Sequence, residues 1–471
     1  MDLSDLVPAL AFLAVFSREL LWVSAAGIFL SSLDDLAVDL AWLLRVAFRR
    51  PWTLPPEPAT PGRFALMVPA WDEAAVIGPM LARVCATVPD PDLRIFVGVY
   101  PNDPGTRAAV AAVAATSGGR VQAVLTAKPG PTTKADCLNH LWRAVLAHED
   151  ATGVRFKAVV LHDAEDIVDP GSFALYDRHM PALAMVQVPV LPLPDRSADR
   201  LSRWVSGHYC DEFAEAHAKD MMVRGVLGAP VPSAGVGTAI DRNVLALLAG
   251  ADGAPFDATS LTEDYEIGHR IHRMGGKGRM VRARIGGRLV ATRACFPATV
   301  AEAVRQKSRW LTGIALSGWD RLGWDGSLAT RWMLARDRKG LFTACVAVLA
   351  YGAAVLVVAQ MLLRALISRD SGVDLPPLLG GSASLLPGFL LFNALLLGWR
   401  LLLRAGFTAR AYGLAEGVRA VPRALLANAI NFLAALKAVD RYRTTVETGR
   451  VPDWDKTSHR FPDDAEVRVN G

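Results

Sequence analysis

Two short stretches of this chain hold side chains that ordinary packing seldom requires. Thr262-Glu263-Asp264 sets adjacent carboxylates before an apolar helical pattern, and Asp264 can take a proton from a hydroxyl within hydrogen-bond reach. Further on, Arg305-Gln306-Lys307-Ser308-Arg309-Trp310 adds amide, guanidinium and indole to that acid. A third stretch, His162-Asp163-Ala164-Glu165-Asp166, crowds three acids into four positions. Their mutual repulsion is costly without a cation, and Mg²⁺ or Mn²⁺ would relieve it while bridging to diphosphate oxygens. The plainer reading is a solvated acidic turn that caps the next helix.

Other positions carry weaker signals. Asp103, in Tyr100-Pro101-Asn102-Asp103-Pro104, follows an apolar run and can accept hydrogen bonds from a base or ribose, although Asn-Asp-Pro is also good turn chemistry. Lys128 to Asn139 places small residues, hydroxyls and Lys134 where a helix begins, which suits an anionic group and equally suits a capped helix start. Its Gly and Lys spacing excludes a Walker A loop. Ser233-Ala234-Gly235-Val236-Gly237-Thr238-Ala239-Ile240 reads as a flexible, small-chained segment that backbone could bring close to a sugar, or as an ordinary loop. His269 and His272 share a helix face, yet beside Arg270 and Arg273 they read as neutral surface histidines rather than a metal pair.

These residues need a frame. Phe64 to Pro69, Arg94 to Tyr100, Arg120 to Leu125 and Lys157 to Leu161 are short apolar runs that alternate with helical patterns, which predicts a mostly parallel, doubly wound α/β sheet. Ligands of such sheets sit beyond the carboxyl ends of the strands, where Asp103, Lys134 and Asp163 fall.

The flanks are membrane-seeking. Leu6 to Leu33 is apolar but for Arg18 and Glu19, which are expected to pair or to face protein, and Asp34 and Asp35 are expected to end it. An amphipathic piece then leads to Arg45, Arg49 and Arg50, and prolines from Pro51 to Pro61 make a stiff linker. Gly340 to Ile367 and Leu385 to Leu403 are two further spans, flanked by Arg336, Arg338, Lys339, Arg400, Arg404 and Arg410. Pro422 to Val439 reads as a helix lying in the interface. The indoles of Trp319, Trp324 and Trp332 fit either the headgroup zone or ordinary packing. The expected division is therefore 1–50 membrane and interfacial segment, 51–62 linker, 63–310 catalytic domain, 311–338 interfacial helices, 339–405 two spans, and 406–471 interfacial helix and tail. With positive flanks inside, the N-terminus lies outside and the catalytic domain is cytosolic.

Composition bounds the classes. The chain has 471 residues, of which 52% are hydrophobic, too many for one soluble core alone. A net charge of +5 without a basic run interleaved with aromatics excludes a nucleic-acid surface. Five scattered cysteines, at 85, 137, 210, 295 and 345, form no zinc or disulfide pattern and fit a reducing compartment. Asp2 and Asp5 stand where a signal peptide would be positive, so the first apolar stretch is expected to be retained.

Taken in order, the post-strand Asp103, the Asp-x-acid cluster, Thr-Glu-Asp and Gln-x-x-Arg-Trp, trailed by a membrane region, resemble the family 2 glycosyltransferases of the cellulose and hyaluronan synthase type. Val68-Pro69-Ala70-Trp71-Asp72-Glu73, Tyr100-Pro101-Asn102-Asp103-Pro104, His162-Asp163-Ala164-Glu165-Asp166 and Trp454-Asp455-Lys456-Thr457 are similar to the bacteriophage adsorption protein B group, inner-membrane enzymes that also serve phage entry with an outer-membrane partner.

The resemblance implies a GT-A fold, a UDP-sugar donor and a divalent metal. It implies that Asp103 contacts the uridine and that Lys134 and Asn139 help hold the nucleotide. Asp163 and Glu165 take the metal site, with Asp166 as the alternative ligand because Glu stands in the second position. Asp264 is the base, Glu263 stands beside it in the donor site, and Gln306, Arg309 and Trp310 bind diphosphate and stack on the acceptor sugar. Displacement at the anomeric carbon then needs a base for the incoming hydroxyl and positive charge for the departing diphosphate, and a single displacement inverts configuration.

The function so implied is an inverting bacterial inner-membrane enzyme that builds a β-linked surface polysaccharide, from an N-acetylhexosamine donor if the adsorption group is the guide. It works in contact with membrane lipid and with an export partner in the periplasm or outer membrane. A single-transfer enzyme on a polyprenyl-linked acceptor and a non-catalytic membrane scaffold are the other readings. Three crossings are few for a translocation channel, and the chain is expected to carry no C-terminal regulatory domain.

Overall fold

The computed structural model describes residues 7–48, 53–195, 199–367, 377, 379, 383–449 and 460–462. Asp2, Asp5, Arg49, Arg50, Pro51 and the stretch Trp454 to Thr457 lie outside the described residues. After a first helix, α1 (Val7–Ala47), the chain enters an α/β unit in which the four expected strands form: β1 (Phe64–Pro69), β2 (Arg94–Val99), β3 (Val121–Leu125) and β4 (Ala158–Leu161). All four run parallel. They are joined by α2 (Ile77–Thr87), α3 (Pro104–Thr116) and α4 (Lys134–Thr152). Along β1, Phe64, Leu66 and Val68 enter one core with Ile77, Leu81 and Ile95, while Ala65 and Met67 enter the other with Phe96, Leu138 and Trp142. That is the period-two alternation of a strand, apolar on both sides because helices cover both faces. Gly98 on β2 lets α4 approach closely, since a Cβ there would stand 2.3 Å from Cys137 Sγ.

The chain continues through α5 (Gly171–His179), β5 (Met185–Gln187), β6 (Val190–Leu193), α6 (Arg200–Glu215), α7 (Met221–Val226), β7 (Thr238–Asp241), α8 (Arg242–Ala249) and α9 (Glu263–Arg273). Then follow β8 (Gly278–Met280), β9 (Arg284–Ile285), β10 (Arg288–Leu289), β11 (Thr292–Cys295) and α10 (Val300–Leu311). The main sheet has the order β3-β2-β1-β4-β7-β5-β8, with β7 antiparallel to its neighbours β4 and β5. Strand order reverses between β1 and β4, so the crevice beyond their carboxyl ends is the natural ligand site of this mixed α/β fold.

From α10 the chain passes through a π-helical stretch, Thr312–Ser317, into α11 (Gly318–Leu322), α12 (Leu328–Arg338), α13 (Gly340–Ile367), α14 (Leu386–Tyr412) and α15 (Leu414–Thr448). Among the described residues three helices are long and apolar enough to cross a membrane: Leu10–Ala47, Gly340–Ala365 and Leu386–Tyr412. The first differs from expectation. Asp34 and Asp35 do not end α1, because cations far along the chain neutralise them: Arg336 and Lys339 reach Asp34 at 2.7 and 2.6 Å, and Lys339 and Arg400 each reach Asp35 at 2.7 Å. Within the span Arg18 pairs with Glu19 at 3.2 Å, one of the two arrangements expected.

The last helix also departs from the short interfacial piece. α15 has 35 residues, runs through Pro422, and buries Gly417, Ala420, Ala427, Ala434 and Ala438. Small side chains allow close helix packing; a Cβ at Gly417 would stand 2.6 Å from the Ala405 carbonyl of α14. The three indoles make protein contacts, though Trp319 and Trp324 stay exposed. Trp332 donates to Asp34 at 2.5 Å, and Trp319 and Trp324 lie edge to face beside the Arg338 guanidinium.

Candidate active site

Three loops at the carboxyl end of the sheet are knitted together before any acid is considered. Asp103 caps α3 by accepting from the Thr106 amide at 3.1 Å, and its other oxygen accepts from the Asp72 amide at 2.6 Å. Asp72 thereby sits at φ +53, a conformation that non-glycine residues seldom adopt. Asn102 clamps Gly130 from both sides, accepting from its amide and donating to its carbonyl, each at 2.7 Å. A Cβ at Gly130 would stand 2.4 Å from the Trp71 ring, which meets Tyr100 edge to face. Trp71, Asp72 and Asn102 thus shape the crevice. Sequence reasoning missed their part, although Asn-Asp-Pro beside a Pro-Gly-Pro loop was the signal for the clamp.

Lys134 begins α4 and meets Asp163 Oδ1 at 2.5 Å. Burial works to lower the Lys134 ammonium, but Asp163, Glu263 and Asp264 outweigh it and hold it above the ordinary lysine range. One cation therefore faces three carboxyls that come from two separate stretches of sequence. Burial raises Glu263 to about 7, helped by Asp264 and opposed by Lys134. Asp264 is raised by burial too, with Lys134 and Arg309 pulling the other way. Asp264 lies under the loop before β7: at Gly235, φ +75, a Cβ would stand 2.5 Å from Asp264 Oδ2.

That loop is hydrogen-bonded to the strand below it. Gln187 accepts from the Ala234 amide and the Thr238 hydroxyl and donates to the Val236 carbonyl, pinning the loop from beneath. His269 is not on the surface. It is buried against the Tyr265 ring, with burial bringing its pKa down to about 3, while the half-buried His272 is lowered less far by the same cause.

Two expected positions are engaged elsewhere. Asp166 is buried, accepts from the Asp163 amide at 3.0 Å and meets His162 Nδ1 at 2.8 Å. Its carboxyl is raised by burial against the pull of His162. Asn139 donates to the Phe256 carbonyl at 2.7 Å and accepts from the Phe256 amide at 3.0 Å, so its amide fastens the segment ahead of Thr262.

The helix α10 brings its residues from the other side. Lys307 is buried and donates to Glu212 of α6 at 2.7 Å and to Asn431 of α15 at 2.8 Å, which fixes the rotation of α10. Trp310 is half-buried beside Tyr209 and Phe213. The π-helical stretch carries Gly313 against Thr262, where a Cβ would come within 2.5 Å of its side chain. Tyr265 donates to Asp337 at 2.7 Å, and Arg224 pairs with the same carboxylate. Gln306 Oε1, Thr262 Oγ1 and His162 Nε2 are buried without a hydrogen-bond partner.

Among the described residues no three His, Cys, Asp or Glu side chains stand together as a metal cage. The donors at Asp163 and Glu165 nevertheless fit a hard divalent cation of the kind that takes one or two carboxylates and completes its shell with water and phosphate oxygens. Asp163 is 32% exposed and already faces a positive charge.

Comparison with known proteins places this arrangement among others. The sequence model described as Glycosyltransferase like family 2 matches residues 61–313. The chain is 37% identical over 469 residues to a bacteriophage adsorption protein B of Escherichia coli K12 and to a bacteriophage N4 adsorption protein B of Escherichia coli O157:H7. Each match covers 93% of this chain and 61% of the relative, so the chain spans under two thirds of these proteins. Its fold is similar to that of a mannosyltransferase from Pyrobaculum calidifontis solved with GDP-Man and Mn²⁺, at TM-score 0.54 and 17% identity over 90% of this chain and 99% of that one.

Proposed function

The chain belongs to glycosyltransferase family 2, and from that premise we propose that it is a membrane-anchored inverting enzyme. It moves a sugar, in our reading an N-acetylhexosamine, from a UDP-activated donor onto a growing surface glycan. The observation that carries this reading is the convergence of Asp163, Glu263 and Asp264 on Lys134 beyond the carboxyl ends of β1 and β4. Asp103, with the Trp71-Asp72-Glu73 loop it holds, faces the nucleoside, and Lys134 reaches the phosphates. Asp163 and Glu165 would hold Mg²⁺ or Mn²⁺, which supplies charge to the departing diphosphate. Asp166, tied to His162, orients that loop instead.

Asp264 takes the proton of the acceptor hydroxyl. Arg309 bears on the same carboxyl and supplies fixed positive charge toward the leaving group. Trp310, set from behind by Tyr209 and Phe213, offers its free face to the apolar side of a pyranose. The catalytic domain lies on the cytosolic side of a bacterial inner membrane, where nucleotide-sugars are made, and the product passes to an export partner.

The test is nucleotide release by the full chain in nanodiscs from a panel of UDP-sugars. GDP-mannose is included because the fold relative was solved with that donor. The panel is run with and without Mg²⁺ or Mn²⁺. Metal-dependent turnover of one donor, abolished in Asp264→Asn, is expected; nucleotide binding to neither protein would overturn the reading.

A further inference from the structure

Against the edge strand β8, away from the crevice, lies a cavity of about 1000 Å³. Arg45, Lys277, Arg279, Arg282, Arg284 and Arg410 line it, with Arg178, and among the described residues no Asp or Glu does. Arg178 is paired outward with Glu57. Arg282 Nη1 is buried without a hydrogen-bond partner. Burial, and then the neighbouring charges of Arg410 and Arg284, pull its pKa down to about 10.

Several other buried cations are given counter-charges, whereas Arg338 is met by a carbonyl and two indole faces. Lys219 is buried between Asp39 and Glu215, Lys307 on Glu212, and Arg423 on Asp211, each with its counter-charge. The buried Arg282 Nη1 stands beside the charges of Arg284 and Arg410, which are open to solvent, and a phosphate would satisfy such a group with paired hydrogen bonds.

The remaining walls say where such a phosphate would come from. Trp42 and Arg45 belong to the last turns of α1, and Phe407 and Arg410 to the last turns of α14. Both helices are long and apolar enough to cross a membrane, and both end here beside the α/β unit. Indole and arginine are the side chains that settle at a bilayer surface, ring toward the chains and charge toward the headgroups. Met221, Met222 and Val226 of α7 add apolar wall.

We propose that this cavity is a binding site for the phosphate headgroup of an anionic phospholipid, taken from the leaflet on the side of the catalytic domain. The phosphate lies on Arg282, Arg284 and Arg410, and an acyl chain lies along Trp42, Met222 and Phe407. The site depends on α1 and α14 spanning the bilayer and not on which sugar is transferred.

The experiment uses the full chain in nanodiscs of phosphatidylcholine alone or with added phosphatidylglycerol, and reads thermal stability and the lipids that survive delipidation by native mass spectrometry. Expected are a higher Tm with phosphatidylglycerol and its retention at least about tenfold over phosphatidylcholine, both lost in Arg282→Gln/Arg410→Gln. The variant should itself be more stable than wild type in phosphatidylcholine, because the repulsion is gone. Equal retention of the two lipids by the wild type, or unchanged retention by the variant, overturns the proposal. The same stabilisation by soluble glycerol phosphate in phosphatidylcholine discs keeps the phosphate site but overturns the lipid source. Should the variant fail to fold, the two-lipid comparison on the wild type decides alone.

Discussion

Asp264 and Lys134 work against each other's burial, and their variants separate catalysis from structure. Asp264→Asn keeps the volume and removes the base, so kcat should fall by roughly 10² to 10⁴, the usual worth of a positioned base, with nucleotide affinity held; parallel turnover and nucleotide titration check it. Lys134 lowers both Glu263 and Asp264. With Lys134→Met their pKa values rise, a base that must be ionised then needs higher pH, and the acid limb of kcat/KM should move upward. A full profile with an unmoved limb would remove Lys134 from the electrostatics of the site. Gly235→Ala meets both a positive φ and Asp264 Oδ2, so activity should fall further than Tm.

The elements that aim these residues are held by ion pairs across long sequence separations. Lys219 is 6% exposed on its side chain and Asp39 is 1%, joined at 2.6 Å between α1 and the π-helical stretch that links α6 to α7. Glu215 also reaches Lys219 at 2.6 Å, so losing Asp39 should cost less than the about 3–5 kcal/mol of a buried charge left wholly alone. The pair between Arg443 and Glu447 is exposed, and such pairs are worth roughly 0–1 kcal/mol. Asp39→Asn should therefore lower the Tm in detergent clearly, and Arg443→Ala should leave it nearly unchanged. The chemistry-bearing residues of α9 and α10 could be read from their types, but Lys307 as the anchor of α10 could not. Its partners Glu212 and Asn431 come from α6 and α15, and nothing in a linear spacing pairs them.

At the scale of the whole molecule, α10 and α6 lean on α15 and α14, so the α/β unit and the long C-terminal helices share packing surfaces. A fragment of residues 53–338 would expose apolar faces of α6, α10 and α12 that the later helices and α1 now cover. Such patches drive association. The fragment should elute as aggregate on size exclusion, whereas the full chain in detergent elutes as a single species; a monodisperse, nucleotide-binding fragment would show that the two parts fold independently.

Much of this was legible before folding. The strands β1, β2 and β4 declared themselves because a strand covered on both faces must be apolar throughout, whereas the edge strand β3 is exposed at Gln122, Ala123 and Leu125. The long apolar helices stood out because a bilayer demands length with little charge. The acids, Gln306, Arg309 and Trp310 stood out because packing does not ask for them. What only the tertiary structure decided was which groups meet each acid. Asp34 continues a helix instead of ending it because Arg336 and Lys339 arrive from far along the chain to neutralise it. Asp166 turns inward because His162 and the Asp163 amide claim it, and Asn139 because the Phe256 backbone does. A carboxylate's role depends on the charge and donors that meet it in space, and sequence spacing carries only its neighbours.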